Sequence, residues 1–359
     1  MMRIAVAGGG GLGYMLATSL SQADNAYNVV VLSRTVSRPS VRPHASQWLL
    51  TLTHTPKSRP EYAAHNIQVH PVNYYSHESL GYALQGVDLV ISTISGPEQL
   101  NLILAAGDGH VRHFVPAEFE GSLGHRASHD PLDRSSAQGL DLLNHLYQRK
   151  RMRFTVFSCG VLMETFLPCG LGTLGIGYGT GVANTGEYLV NMSTGTAEYP
   201  EHNAVRQPTR ICLTSVYDLV RFIVAAIDLG PGTWPREFTL RGDRMTLRDV
   251  VNSCSMGRTG KFEATHYQQR GSCGLTRGLL VAFSHQTLQY NDLATCHDHY
   301  TRIGDYTRAA YYQRMLATAD GRYDFAEATL NEAVSSSTTV NVQPLTFAQW
   351  LASVCQPSP

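Results

Sequence analysis

Arg3-Ile4-Ala5-Val6-Ala7-Gly8-Gly9-Gly10-Gly11-Leu12-Gly13, followed by Tyr14-Met15-Leu16-Ala17-Thr18-Ser19-Leu20, decides how the rest of the chain is read. An apolar run rich in β-formers meets glycines at 8, 10 and 13, and a helix-like apolar pattern then begins. That is the strand–turn–helix setting in which G-x-G-x-x-G has a physical meaning. Gly8 permits the tight turn, Gly10 lets the backbone approach a pyrophosphate, and Gly13 lets the helix pack on the sheet. The helix N-terminus then offers free N–H groups and partial positive charge to phosphates.

Working outward, Asn28-Val29-Val30-Val31-Leu32-Ser33-Arg34 reads as the second strand. Its end selects the cofactor. A carboxylate there binds a ribose 2′-OH, whereas this chain has Ser33 and Arg34, with Arg38 and Arg42 close behind. A guanidinium binds a 2′-phosphate bidentately, so NADP(H) is expected over NAD(H). Residues 39–66 are polar and rich in Pro and His, and read as an irregular insertion with a short helix around Gln47–Leu52. Strands follow at Ile67–Val72, Val87–Thr93, Arg112–Pro116 and Phe154–Gly160, separated by helices at Glu78–Gln85, Pro97–Gly107 and Arg134–Gln148. Strands alternating with helices imply an α/β class with a doubly wound parallel sheet.

The second half changes character. Glycines crowd residues 169–181, either a mobile loop over a site or a plain connector; with no Gly-Lys-Ser/Thr it is not a P-loop. Thr209–Leu213 and Glu237–Leu240 read as strands, and Gly242-Asp243 as a turn. Ser215–Leu229 is amphipathic at helical spacing, and Thr246–Cys254 is a helix with Thr246 as N-cap. The tail reads as helices over 289–300, 304–317 and 346–354.

Bulk properties narrow the class. The 359 residues suit one large or two coupled domains, and 43% hydrophobic residues supply a core. Zero net charge argues against a polyanion-binding surface, so no nucleic-acid partner is expected. The seven cysteines are odd in number and scattered, without C-x-x-C, which fits a reduced, cytoplasmic protein. The chain starts directly on a strand, with no signal peptide ahead of it, and no apolar run reaches membrane-spanning length. Cys296-His297-Asp298-His299 carries metal-capable side chains, but on a helix 297 and 299 face different ways, and no metal site is assigned.

Taken together the chain resembles the NmrA-like and isoflavone-reductase-like family of atypical short-chain dehydrogenases. Gly8–Gly13 matches the family's glycine loop and Leu32-Ser33-Arg34 its NADP-selecting strand end. Residues Arg112 to Phe119 resemble "KRFxPSEFG", with Ala117 for Ser and Glu120 for Gly. Residues Phe157 to Phe166 resemble "xxNCGxFMDYF", and Val216 to Phe222 resemble "V-x-D-I-x-R-F". The likeness spans roughly residues 1–265. It implies a Rossmann-type NADP(H)-binding domain over 1–160. A smaller α+β substrate-binding domain would cover most of 161–359, with 209–229 returning to the Rossmann core. It further implies that Gly8, Gly10, Leu12 and Gly13 hold the pyrophosphate and that Ser33 and Arg34 hold the 2′-phosphate. Asn73 would lie near the adenine, Thr93 and Ile94 along the middle of the channel, and Glu118, Cys159 and Gly160 near the nicotinamide.

One departure matters for chemistry. The family's reductases carry a catalytic Lys where this chain has Gln138, within Ser135-Ser136-Ala137-Gln138, and no Tyr-x-x-x-Lys occurs. Gln neither titrates nor carries charge, so another group must handle the proton. The candidates are Glu118, a carboxylic acid after a buried strand, and His129 in the loop before the Gln138 helix. Glu164 is a second carboxylate, Arg112 and Arg126 could polarise an oxygen, and His113 and Cys159 read as packed side chains. Three functions stay open. The first is acid/base isomerisation, cyclisation or 1,2-rearrangement of a largely apolar secondary metabolite, an alkaloid or polyketide, without net redox. The others are NADPH-dependent reduction of a C=O, C=N or C=C bond, and a redox-sensing regulator without turnover. A small-molecule substrate is expected, and a homodimer is left open.

Overall fold

The computed structural model describes residues 1–25, 27–34, 60–127, 130, 132–177, 188–258 and 284–355. The chain folds into two units, one comprising Met1–Ala117 and Ser135–Phe154, the other Glu118–Arg134 and Thr155–Pro359. Neither unit is a continuous stretch of chain. The boundary falls before the expected residue 160, and the segment Glu118–Arg134 lies outside the N-terminal unit altogether.

The first unit runs β1 (Arg3–Ala7), α1 (Gly11–Ser21), β2 (Asn28–Arg34), α2 (Pro60–Ala64), β3 (Gln68–Val72), α3 (His77–Ala83), β4 (Leu89–Ser92), α4 (Pro97–Asp108), β5 (His113–Val115), α5 (Ser136–Gln148) and β6 (Arg153–Phe154). Its six strands form one sheet in the order β3-β2-β1-β4-β5-β6, every pair parallel. Strand order reverses at β1, between β2 and β4, and the crevice beyond the carboxyl ends of these strands is where such sheets bind ligands. The central strands are sealed on both faces: Ile4, Ala5, Val6, Val31, Leu32, Leu89, Val90 and Ile91 are completely buried, as parallel strands flanked by helices require. Pro71 sits within β3, which is an edge strand, where a missing N–H is tolerated. On α4, a Cβ at Gly107 would lie 2.9 Å from Leu146 of α5, so the glycine sets how closely the two helices pack.

The second unit runs β7 (Val156–Ser158), β8 (Val161–Leu162), β9 (Val190–Asn191), β10 (Thr196–Pro200), β11 (Arg210–Thr214), α6 (Val216–Asp228), β12 (Glu237–Thr239), β13 (Asp243–Thr246), α7 (Leu247–Arg258), β14 (Ser284–Leu288), α8 (Tyr290–Arg302), α9 (Tyr306–Ala319), α10 (Thr329–Ser335) and α11 (Phe347–Cys355). Small sheets β14-β10-β9, β13-β11-β8 and β12-β7 carry it. Two differences from the sequence reading stand out. The expected sixth strand is broken at Thr155, whose hydroxyl donates to the Pro235 carbonyl, and from Val156 onward the chain pairs with β12. The 209–229 segment, expected to return to the Rossmann core, lies in the second unit, where β11 pairs with β8 and β13. On α6 the anticipated Val216, Leu219, Val220, Ile223 and Ile227 are buried while Val224 is half-buried, and the Ser215 hydroxyl caps the helix by accepting from Tyr217 N–H.

Candidate functional site

The glycine turn sits at the carboxyl end of β1. Gly8 adopts φ +106°, and a Cβ there would stand 2.4 Å from Thr93 Oγ1 and 3.1 Å from the Ile94 side chain. Thr93 in turn donates through N and Oγ1 to the Ala7 carbonyl, both at 2.8 Å. Gly8 N–H donates to the Leu32 carbonyl at 3.0 Å, tying the turn to β2. At Gly13 a Cβ would come within 1.9 Å of the Gly8 carbonyl oxygen, so the first turn of α1 closes on the loop only with glycine there. Gly10 is the N-cap of α1 and provides no side-chain cap; the first turn carries no acidic residue. Those leading N–H groups are therefore presented to an anion. Leu12 is buried and contributes its backbone alone to that turn.

Beside it, Ser33 is half-buried and its Oγ lies 3.4 Å from where a Gly9 Cβ would be. Arg34 is exposed at the end of β2 and forms no ion pair among the described residues. The sequence does not reveal the brace beneath. Tyr62, from the insertion, donates its hydroxyl to the Gly9 carbonyl at 3.2 Å and packs edge-on against Tyr14. Buried Tyr74 donates to Leu32 O at 2.9 Å, and burial pushes its phenol well up. Asn73, at the end of β3, accepts from Tyr75 N–H and so shapes the turn it sits in. The sheet thus gathers Gly8, Gly10, Leu12, Gly13, Ser33, Arg34, Asn73, Thr93 and Ile94 along one edge. The observations fit a dinucleotide phosphate: an uncapped helix start, a turn whose Gly8 and Gly13 admit no Cβ, and a guanidinium with no ion pair among the described residues where a carboxylate would repel. Gln138 is exposed in the first turn of α5. Arg38, Arg42, the expected helix at Gln47–Leu52 and His129 lie outside the described residues.

In the second unit Glu118 is buried, at 4% exposure, and Arg126 Nη1 donates to its Oε2 at 2.6 Å. Arg126 also reaches the Gly121 carbonyl at 3.2 Å and lies 3.6 Å from Glu120. The Glu120 carboxylate accepts from Arg322 at 3.0 Å, and Arg322 pairs with Asp130 as well. Three carboxylates and two guanidiniums thus form one enclosed network. Cys159 and Gly160 place both their amide protons on the Glu120 carbonyl, at 2.8 and 3.0 Å. Gly160, at φ +69°, has no room for a Cβ, which would stand 2.3 Å from the Cys212 carbonyl. Burial pushes the Cys159 thiol far up, which suits packing rather than nucleophilic chemistry.

Glu164 has zero exposure. Its oxygens accept from Ser215 Oγ, Val216 N–H and Trp350 Nε1, so it braces the start of α6 against α11, and burial raises its pKa. His113 is buried in β5, and burial with nearby Arg153 pushes its pKa down to about 4. One cysteine departs from the fully reduced expectation. Cys159, Cys212, Cys254 and Cys296 are outside any disulfide, but Cys169 is disulfide-bonded.

The parallel sheet with its glycine turn is a Rossmann-type fold, and known proteins share it. Oxidoreductase BOA1 of Botryotinia fuckeliana is 27% identical over 267 residues, covering 70% of this chain and 74% of that protein. Oxidoreductase swnN of Metarhizium robertsii is 20% identical over 369 residues, covering 98% of each chain. Among solved structures, isoflavone reductase superposes with TM-score 0.63 at 15% identity, covering 98% of both chains. The NADPH complex of the Escherichia coli quinone oxidoreductase QOR2 gives 0.62 at 16%, covering 98% of this chain and all of that one. No protein-family model matches. The chain shares the fold of the NmrA-like and isoflavone-reductase-like proteins, as its motifs imply. Among the described residues no helix is long and apolar enough to cross a membrane.

Proposed function

We propose that the chain is an NADP(H)-binding enzyme of the oxidoreductase type, acting on a largely apolar small molecule such as an alkaloid or polyketide. The observation that carries this is the glycine cradle beside Arg34. Both fungal relatives are named oxidoreductases, and QOR2 is crystallised with NADPH. When bound, the cofactor would supply a hydride donor or acceptor. Gly8, Gly10 and Gly13 would hold its pyrophosphate on backbone N–H groups at the start of α1. Ser33 and Arg34 would take the 2′-phosphate. Asn73, Thr93 and Ile94 would line its path, with Cys159 and Gly160 nearer the reacting ring. Glu118 is the proton-handling group in this reading, oriented by Arg126; Gln138 can donate or accept a hydrogen bond but cannot exchange a proton at neutral pH.

A second reading has a specific observation behind it: Gln138 stands where the resemblance implies Lys. In that reading the same residues run an acid/base isomerisation, cyclisation or 1,2-rearrangement without net hydride transfer. Incubation with candidate metabolites, following NADPH absorbance and product mass together, tests both. NADPH oxidation matched to product supports reduction; product of unchanged mass with no oxidation supports rearrangement. NADP(H) binding without turnover, with capture of a protein partner, would replace both by a sensor. A homodimer completes the proposal, and light scattering checks the assembly.

A further inference from the structure

We propose that Arg322 is the positioning residue for Glu118, acting through Glu120 and Arg126. This rests on the reading of Glu118 as the proton-handling group. Arg322 lies beyond residue 265, outside the stretch whose motifs carry the family resemblance.

The local chain explains how Arg322 is aimed. α9 ends in a Schellman turn: Gly321, at φ +83°, donates to the Thr318 carbonyl at 3.0 Å, and Arg322 N–H donates to the Ala317 carbonyl at 3.0 Å. That double bond fixes the backbone of Arg322 against a rigid helix. Its own carbonyl is pressed onto Gly121, where a Cβ would stand 2.1 Å away. The guanidinium is 4% exposed and forks onto Glu120 and Asp130.

The electrostatics explain why Glu118 depends on it. Glu118, Glu120 and Asp130 share two guanidiniums, and Arg126 already lies 3.6 Å from Glu120 while bonding Glu118 at 2.6 Å. Glu120 is 23% exposed, and a largely enclosed carboxylate that loses its cation competes for the next one within reach. Without Arg322, Glu120 therefore competes with Glu118 for Arg126, 3.6 Å away, and the Glu118 carboxylate is held less firmly. The backbone carbonyl of Glu120 holds the Cys159 and Gly160 amides, so loosening Glu120 also loosens those two bonds.

The test uses the full chain with Arg322→Met, Arg322→Lys, Glu120→Gln, and Arg244→Met as control. Arg244 pairs with Asp324 on the surface and takes no part in the network. Hydrogen exchange read by mass spectrometry at the Cys159 and Gly160 amides should speed up at least tenfold in Arg322→Met and stay at the wild-type rate in Arg244→Met. In turnover assays kcat should fall about tenfold or more. KM for the substrate should be unchanged, with Arg322→Lys recovering part of the loss. Should Arg322→Met fail to fold, Glu120→Gln removes the shared acceptor with nearly the same shape and should show the same exchange and kcat changes. Wild-type exchange at both amides in either folded variant overturns the proposal. So does a KM rise with kcat intact. If no substrate turns over in the wild type, the functional reading has failed, while the exchange result still decides whether Arg322 holds the segment.

Discussion

His113 makes the stability of this protein fall with acid over a defined window. Its pKa in the folded chain is about 4, against 6.5 for an ordinary histidine, because β5 buries it and Arg153 lies nearby. The unfolded chain therefore binds a proton as pH drops through 6.5, and the folded chain resists until about 4. Stability is lost across that interval and is fully present above it. Linkage gives a loss of about 2 kcal/mol at pH 5 and almost none at pH 7.5, rising to about 3 kcal/mol below pH 4. For units of this size that corresponds to a melting shift of roughly 4–8 °C between pH 7.5 and 5. The assay is thermal unfolding of wild type and His113→Gln across pH 7.5, 6.5, 5.5 and 5.0. Other groups titrate in both proteins, so the quantity read is the difference between their slopes. The variant should lose less melting temperature on acidification by about that amount. Parallel curves would refute the argument and mean that His113 is protonated while folded.

Other changes have equally definite outcomes. Gly13→Ala drives a methyl to within 1.9 Å of the Gly8 carbonyl, so the loop must shift; a stability loss of about 1–3 kcal/mol and at least tenfold weaker NADPH binding are expected, by unfolding and fluorescence titration. Arg34→Ala should weaken NADPH by about 10- to 100-fold, the size of one or two charge-assisted hydrogen bonds, and leave NADH nearly unchanged. Glu164→Ala leaves Ser215, Val216 N–H and Trp350 Nε1 without their acceptor, which should cost about 3–5 kcal/mol in denaturant unfolding. Arg126→Leu strands the buried Glu118 charge, a loss of about 3–5 kcal/mol that Glu118→Leu in the same chain should largely reverse.

The first half of the fold is legible in the sequence because its signals are local. Apolar runs, the glycine spacing and Pro71 each act within a few residues, and β1 through β5 fall where the pattern puts them. Thr246 behaves as expected too, accepting from Asp249 N–H at the head of α7. The second unit is harder. β13 begins where Gly242-Asp243 reads as a turn, because that pair is turn chemistry; in fact Gly242 is needed for the approach of the Leu345 carbonyl, 2.1 Å from where a Cβ would be. β9 is only two residues long and β10 pairs in parallel with the distant β14, so no periodicity announces this sheet. The residues proposed for the cofactor edge can be listed from the sequence because one turn and three strand ends carry them. The Glu118 network cannot. Arg322 lies far along the sequence, and the Asp-Gly helix stop before it says that a turn occurs, not where the guanidinium lands.

The interleaving of the two units has a consequence for synthesis. The ribosome delivers the strands of the parallel sheet, β6 included, by residue 154, yet Glu118, Glu120 and Asp130 emerge long before Arg322 exists to meet them. Until then those acids stay hydrated and Arg126 is the only cation of the network available to them. A nascent or truncated chain ending near residue 160 would therefore carry a well-specified sheet and an unfinished acidic segment. It should be the species that chaperones hold and proteases clip, with the cut falling between 118 and 134 rather than at the edge of the sheet.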